Sequence, residues 1–353
     1  MVNRLIMDLQ AHLSKKSGIE RFLFSQYRFI FIPEDRIIMP FSASGKGNVI
    51  RGAFGTTLRH LCCANRYSGD CSICDIRQEC VYQIIFDPVE PYGPKRMKNI
   101  PRGFIVKPPL NGETEYTIER PFVFDMVLIG RIMEYIPWIV VPLNELGRLG
   151  IGKERGRFTL KEILKIGAEG ETTKVYDSKT GTFSDSNEPI TGRQILKKAD
   201  EIKTREITLE FLTPTRIRFN PEGKKGESVI IKKPQFHHIL RRLRDRISTL
   251  CLAYLGAPMD MDFRGIVERA KDVRVLDMDI RWVDAKRISR TQFNHSGGHA
   301  VHDKSGFVGK ITFEGDLKEF LPLLVLGEYI HVGEDAVFGS GWYKIDCIER
   351  KNL

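Results

Sequence analysis

The chain states its ending twice. The stretch PLNELGRLGIGKERGRFTL (142–160) shares an ordered set of positions with PLLVLGEYIHVGEDAVFGSGWYKI (322–345). Pro142, Leu143, Leu146 and Gly147 stand 180 positions before Pro322, Leu323, Leu326 and Gly327. Gly156 and Phe158 stand 185 before Gly341 and Tyr343. One helix–glycine loop–strand unit therefore occurs twice, and a duplicated domain is the simplest source. The beginnings agree as well. QYRFIFIPEDRIIMP (26–40) and EITLEFLTPTRIRFN (206–220) each alternate like a strand, turn at proline and continue with Arg-Ile, Arg36 and Arg216 being 180 apart.

A helical stretch follows each beginning. The second, PQFHHILRRLRDRISTLCLAYL, spaces Phe236, Ile239, Leu240, Leu243 and Ile247 along one face and leaves arginines on the other. Strand patterns at 273–284 and 306–315, a helix over 317–329 and a strand over 341–348 complete β-α-β-β-α-β. The expected fold is α+β, two tandem ferredoxin-like (RRM-like) domains, the first carrying a cysteine-rich insertion. Their expected extents are 1–203, with the insertion at 62–80 and a hairpin and linker over 168–203, and 204–353.

A chain of 353 residues with 42% hydrophobic content can bury two cores. No run of about 18 uncharged apolar residues occurs and the start lacks a signal-peptide core, so no membrane partner and a cytoplasmic location are expected. The net charge of +10 favours a polyanion, nucleic acid ahead of a lipid surface.

Five of the seven cysteines lie between Cys62 and Cys80. Cys63-x7-Cys71-x2-Cys74-x5-Cys80, with Cys62 as a substitute first ligand, suits a structural zinc or an iron–sulfur cluster. Reduced thiols in a packed loop are the plain alternative.

IRGAFGTTLRHL followed by the cysteines and YQIIFDP, then GRLGIGKERGRF, GFVGKITFEG and GEYIHVGEDAVFGSGWY, resembles in its order the RAMP-type CRISPR endoribonucleases that process precursor crRNA. The resemblance implies a tandem fold, a CRISPR repeat RNA substrate and cleavage with no cofactor for catalysis. It also allows other effector-complex subunits and a second copy of the chain, as a homodimer, among the partners. A non-catalytic RAMP subunit that binds crRNA is the rival reading, ahead of a metal-dependent nuclease.

Scission of RNA by its own 2′-hydroxyl needs a base, an acid and a cation. His331, beside the glycines, is the first candidate, and His60 at the end of the first helix the second. Lys46 and Arg51 are read as preceding that helix; Arg155 and Arg157 lie in the earlier glycine loop. Gly333, Gly339 and Gly341 are expected to let backbone approach phosphate, and Trp342 or Tyr343 to stack a base. His295, in the polar loop 289–306, is expected to contact RNA.

Overall fold

The computed structural model describes residues 18–64, 71–88, 100–185, 188–220, 227–293 and 299–346. The chain divides into two compact units, Met1–Leu196 with Arg246–Met261, and Lys197–Asp245 with Asp262–Leu353.

In the first unit β1 (Leu23–Pro33) leads into α1 (Ala43–Cys62) and the short α2 (Val81–Ile85). Strands β2 (Phe104–Lys107) and β3 (Phe122–Ile129), helix α3 (Pro137–Leu149) and β4 (Phe158–Ile166) follow. The hairpin β5 (Thr172–Asp177) and β6 (Thr182–Phe183) and the strand β7 (Ile190–Thr191) extend the sheet, and β7 runs into helix α4 (Gly192–Glu201). The order is β2-β3-β1-β4-β5-β6, with β7 also on β1, and these pairings are antiparallel. The first four of these strands have the ferredoxin-like arrangement. Alternate residues of β1 turn inward, and Phe29 and Phe31 stack on Phe124 with ring centroids 5.6 and 5.4 Å apart. Each such ring contributes about 2–3 kcal/mol by leaving water.

Helix α1 explains the glycine of IRGAFG. A Cβ on Gly55 would come 1.9 Å from Cζ of Phe86, so the glycine is a notch in which that ring lies. The Arg51 guanidinium covers the ring, 3.7 Å from its centroid, from one helical turn away.

The second unit repeats the plan. Strand β8 (Glu206–Thr215) is followed by the ribbon β9 (Ile217–Phe219) and β10 (Val229–Ile231). Helix α5 (Phe236–Tyr254), whose residues from Arg246 on are grouped with the first unit, and strand β11 (Arg274–Val283) come next, then the hairpin β12 (Lys286–Phe293) and β13 (His299–Asp303). Strand β14 (Gly306–Glu314), helix α6 (Leu321–Ile330) and β15 (Tyr343–Asp346) complete it. The sheet order is β11-β14-β8-β15, again antiparallel throughout. The two units therefore share the tandem ferredoxin-like topology that the repeat predicts. The five apolar positions picked out on α5 are all fully buried.

The repeat extends to packing. A Cβ on Gly147 of α3 would meet the carbonyl oxygen of Phe158 at 2.2 Å, and one on Gly327 of α6 would meet Tyr343 Oη at 2.0 Å. In each unit a helix glycine admits the matched residue of the strand that follows the helix.

Two local expectations differ. The segment 168–203 is a hairpin and then a helix, α4. Thr191 and Gln194 form a capping box, Thr191 N–H donating to Gln194 Oε1 at 2.8 Å, while Ile195 and Ala199 turn inward. RIMEYIPWIVVPLNEL (131–146) reads as a single helix in the sequence, yet it begins as a 3-10 turn, Gly130–Tyr135, and becomes α-helical only at Pro137, whose fixed φ suits a helix start.

Candidate nucleic-acid interface

The glycine loop of the second unit is built against its own backbone. α6 ends at His331, which has the left-handed φ of 64° that usually falls to glycine. Its N–H donates to the Gly327 carbonyl at 2.8 Å, and its Nδ1 lies 3.2 Å from the Ser340 carbonyl oxygen. The ring is fully buried and parallel to the half-buried Trp342 indole. A buried imidazole cannot face a scissile phosphate. The acid–base role expected of His331 is therefore corrected: the residue ends a helix and closes a loop.

The neighbouring expectations change with it. The Tyr343 ring is fully buried and its hydroxyl donates to the Leu324 carbonyl at 2.6 Å, so it offers no stacking face. A Cβ on Gly333 would meet the Arg216 carbonyl oxygen at 2.5 Å, and one on Gly341 the Val332 carbonyl oxygen at 1.8 Å. Gly339, at φ 86°, accepts the Thr213 hydroxyl at 2.7 Å. These glycines let chain approach chain, where approach to phosphate was expected. Trp342 has one face against His331, and its backbone N–H donates to Thr213 Oγ1 at 2.9 Å.

The earlier glycine loop docks in the same way. Lys153 N–H donates to the Ile38 carbonyl at 3.0 Å, as Glu334 N–H donates to that of Arg216 at 3.0 Å. Arg155 is exposed, with a left-handed φ of 53°. Arg157 is exposed but forks onto Asp35, Nε to Oδ2 being 2.7 Å. That partner holds Asp35 below its ordinary carboxylate range and offsets part of the positive charge expected for RNA.

Near the start of α1, Lys46 is almost wholly buried, its ammonium 5.4 Å from the Tyr116 ring centroid. Burial lowers its pKa. The exposed cation expected there is absent, because the side chain folds inward against that ring. Arg51 is half-buried over Phe86. His60 stands exposed on the last turn of α1, next to Arg59, whose guanidinium lies 5.9 Å from the Tyr82 centroid. His60 and Arg59 thus share a solvent-facing helix end, and Lys46, buried near the opposite end, does not join them. His295 lies outside the described residues.

A second cluster lies in the basic run of α5. His237 and His238 have ring centroids 4.0 Å apart, and His238 meets the Phe219 ring edge-on at 4.8 Å. The Arg241 guanidinium is 5.3 Å from the Phe219 centroid, and Lys232 lies 5.5 Å from that of Trp282. All of these side chains except the exposed Lys232 are half-buried. His238 Nδ1 accepts the Gln235 N–H at 3.0 Å, which places the proton of its neutral ring on Nε2. Burial, with the His237 and Arg241 charges, pushes its pKa down to about 4. At neutral pH His238 is a donor, and the cluster interleaves donors and cations with aromatic faces as single-stranded nucleic acid requires. The sequence signal for it is HH one helical turn before RR, with an aromatic residue on the neighbouring ribbon.

Other cations are already satisfied. Arg216 is buried between Asp303 (2.6 Å) and Glu334 (3.0 Å), and Arg218 also pairs with Glu334 at 2.9 Å. Hydrogen bonds from Ser305 and Arg216 hold Asp303 well below the usual carboxylate range.

Residues 209–343 match the family of the CRISPR-associated endoribonuclease Cas6. The C-terminal part of the chain is therefore similar to Cas6. Residues 22–188 match a second family, the AF_1859_N N-terminal domain. An uncharacterized protein of Archaeoglobus fulgidus is 26% identical to this chain over 310 residues, covering 85% of it and 91% of the relative. A Cas6 product complex superimposes with a TM-score of 0.52 at 14% identity, covering 92% of this chain and 100% of that one. A chain of a partial Cas6-RT-Cas1–Cas2 complex gives 0.55 at 13% identity, covering 94% and 47% respectively. At these identities the two structures speak for the fold, and it is the tandem fold derived above. Among the described residues no helix is long and apolar enough to cross a membrane.

Proposed function

We propose that this protein is an endoribonuclease that cleaves CRISPR repeat RNA in precursor transcripts, by attack of the 2′-hydroxyl beside the scissile phosphate and without a catalytic metal. The match of residues 209–343 to the Cas6 family carries this reading. The +10 net charge and the Phe219–Arg241 cluster support an RNA substrate. The Cas6 product complex and the Cas1–Cas2 assembly among the similar structures support RNA and CRISPR proteins as partners.

In this mechanism His60 takes the role of base or acid, because it is the exposed histidine among those whose side chains are described. The mechanism also needs a cation at the phosphoryl oxygens. His60→Ala should slow single-turnover cleavage about a hundredfold while leaving RNA affinity near normal. Unchanged cleavage would remove His60 from the chemistry.

A second reading has its own observation. His331 is buried and His238 is held as a donor, so these two histidines pack or bind, as a non-catalytic crRNA-binding subunit would require. Tight repeat binding with no cleavage would select it.

A further inference from the structure

The cysteines of the insertion surround one small space. Cys63, Cys71, Cys74 and Cys80 all line a cavity of about 30 Å3, together with Arg59 and Tyr82. Cys62, though it neighbours Cys63 in the chain, does not line it. The four come from three local structures. Cys63 is the C-cap of α1, Cys71 opens the 3-10 turn Cys71–Ile73, Cys74 follows that turn, and Cys80 is the N-cap of α2. The path between the last two is set by consecutive turns, Arg77 N–H donating to the Cys74 carbonyl and Glu79 N–H to that of Ile76, both at 3.1 Å.

We propose that Cys63, Cys71, Cys74 and Cys80 bind one zinc ion as a structural tetrathiolate site joining the end of α1 to the start of α2. Thiolates are the ligands of closed structural zinc sites, and a C-x2-C pair supplies two of them from a single turn. A single water needs ~10–15 Å3 of such volume, so the cavity as it stands has the size of a single ion.

The thiols ring the space without yet meeting at its centre: among the described residues no three His, Cys, Asp or Glu side chains form a ligating group. Zinc draws its ligands to about 2.3 Å, and its binding energy is folding energy. Four thiolates about one zinc leave two negative charges, which Arg59 on the cavity wall offsets. The consequence reaches the neighbouring surface. α2 leads directly into Phe86, whose ring fills the Gly55 notch and carries Arg51. The metal thereby fixes this aromatic–cation stack and the helix turn that bears His60.

Elemental analysis of the full-length protein after gel filtration should find one zinc and no iron per chain. Cobalt(II) exchanged into the protein should give the intense visible bands of a tetrahedral site with thiolate charge transfer. Cys71→Ser with Cys74→Ser should lose the metal and lower the Tm, whereas Cys62→Ser should keep both. Should the double variant fail to fold, the cobalt spectrum of the unaltered chain decides alone. Protein that takes up neither zinc nor cobalt, iron accompanied by sulfide, or metal retained without Cys71 and Cys74 would each overturn the assignment. None of these readings depends on nuclease activity.

Discussion

The His331 imidazole stacks on the Trp342 indole with centroids 5.7 Å apart and planes 7° from parallel. The pair shuts the glycine loop of the second unit, and the histidine reaches no solvent. His331→Ala should therefore act on stability, costing roughly 2–4 kcal/mol as a large buried ring is lost. Urea denaturation measures the cost. The fraction that stays folded should cleave repeat RNA at an unaltered rate; a dead but fully stable variant would return His331 to the chemistry.

The Gly327–Tyr343 contact makes a second test. Gly327→Ala places a methyl group 2.0 Å from Tyr343 Oη, so it should destabilise strongly. Tyr343→Phe loses the bond to Leu324 and should cost about 1–3 kcal/mol. The double variant should be more stable than the two separate losses predict, because removing the hydroxyl relieves the closest clash, with Leu243 Cδ2 still 2.7 Å away. Simple additivity in thermal melts would argue against this packing.

His238 gives stability a pH dependence of definite sign. Its folded pKa of about 4 lies below the ordinary 6.5, so the unfolded chain binds the proton first as pH falls. The contribution is complete above pH 6.5 and is lost as pH drops toward 4. His237 is also lowered, by burial and then by Lys271, and adds to the same slope. Tm should decline over this window, and His238→Gln should flatten the decline. An equal slope in the variant would assign it elsewhere.

Phe219 sits between His238 and Arg241 with its ring half-exposed. If a base stacks there, Phe219→Ala should weaken repeat binding by ~1–3 kcal/mol while changing cleavage of saturated complex little. Arg241→Gln should weaken binding and flatten its salt dependence. Affinity unchanged in both would place the RNA on another surface.

The fold is legible in the sequence because the duplication is written in ordered Pro, Leu, Gly and aromatic positions, and the Gly147–Phe158 and Gly327–Tyr343 pairs pack alike in both copies. The buried face of α5 is equally plain from its spacing. Helix α4 is obscured by the Gly, Thr and Ser around it, although Thr191 and Gln194 stand at capping-box distance. The site is harder to read. Glycine frequency announces a close approach but does not say to what, and at Gly333 the neighbour is the Arg216 carbonyl. Nor does charge announce burial: Lys46 folds against Tyr116, and Arg157 is held by Asp35.

The central claim is cleavage by the RNA's own 2′-hydroxyl. The direct measurement is single-turnover cleavage of a repeat RNA in EDTA, beside the same RNA carrying one 2′-deoxy nucleotide at the scissile position. Circular dichroism in the same buffer confirms that the protein stays folded. The account predicts a 2′,3′-cyclic or 3′-phosphate end from the natural RNA, and binding without cleavage for the deoxy substrate. Undiminished cleavage of the deoxy substrate, or cleavage by folded protein only when a divalent cation is added, would contradict it.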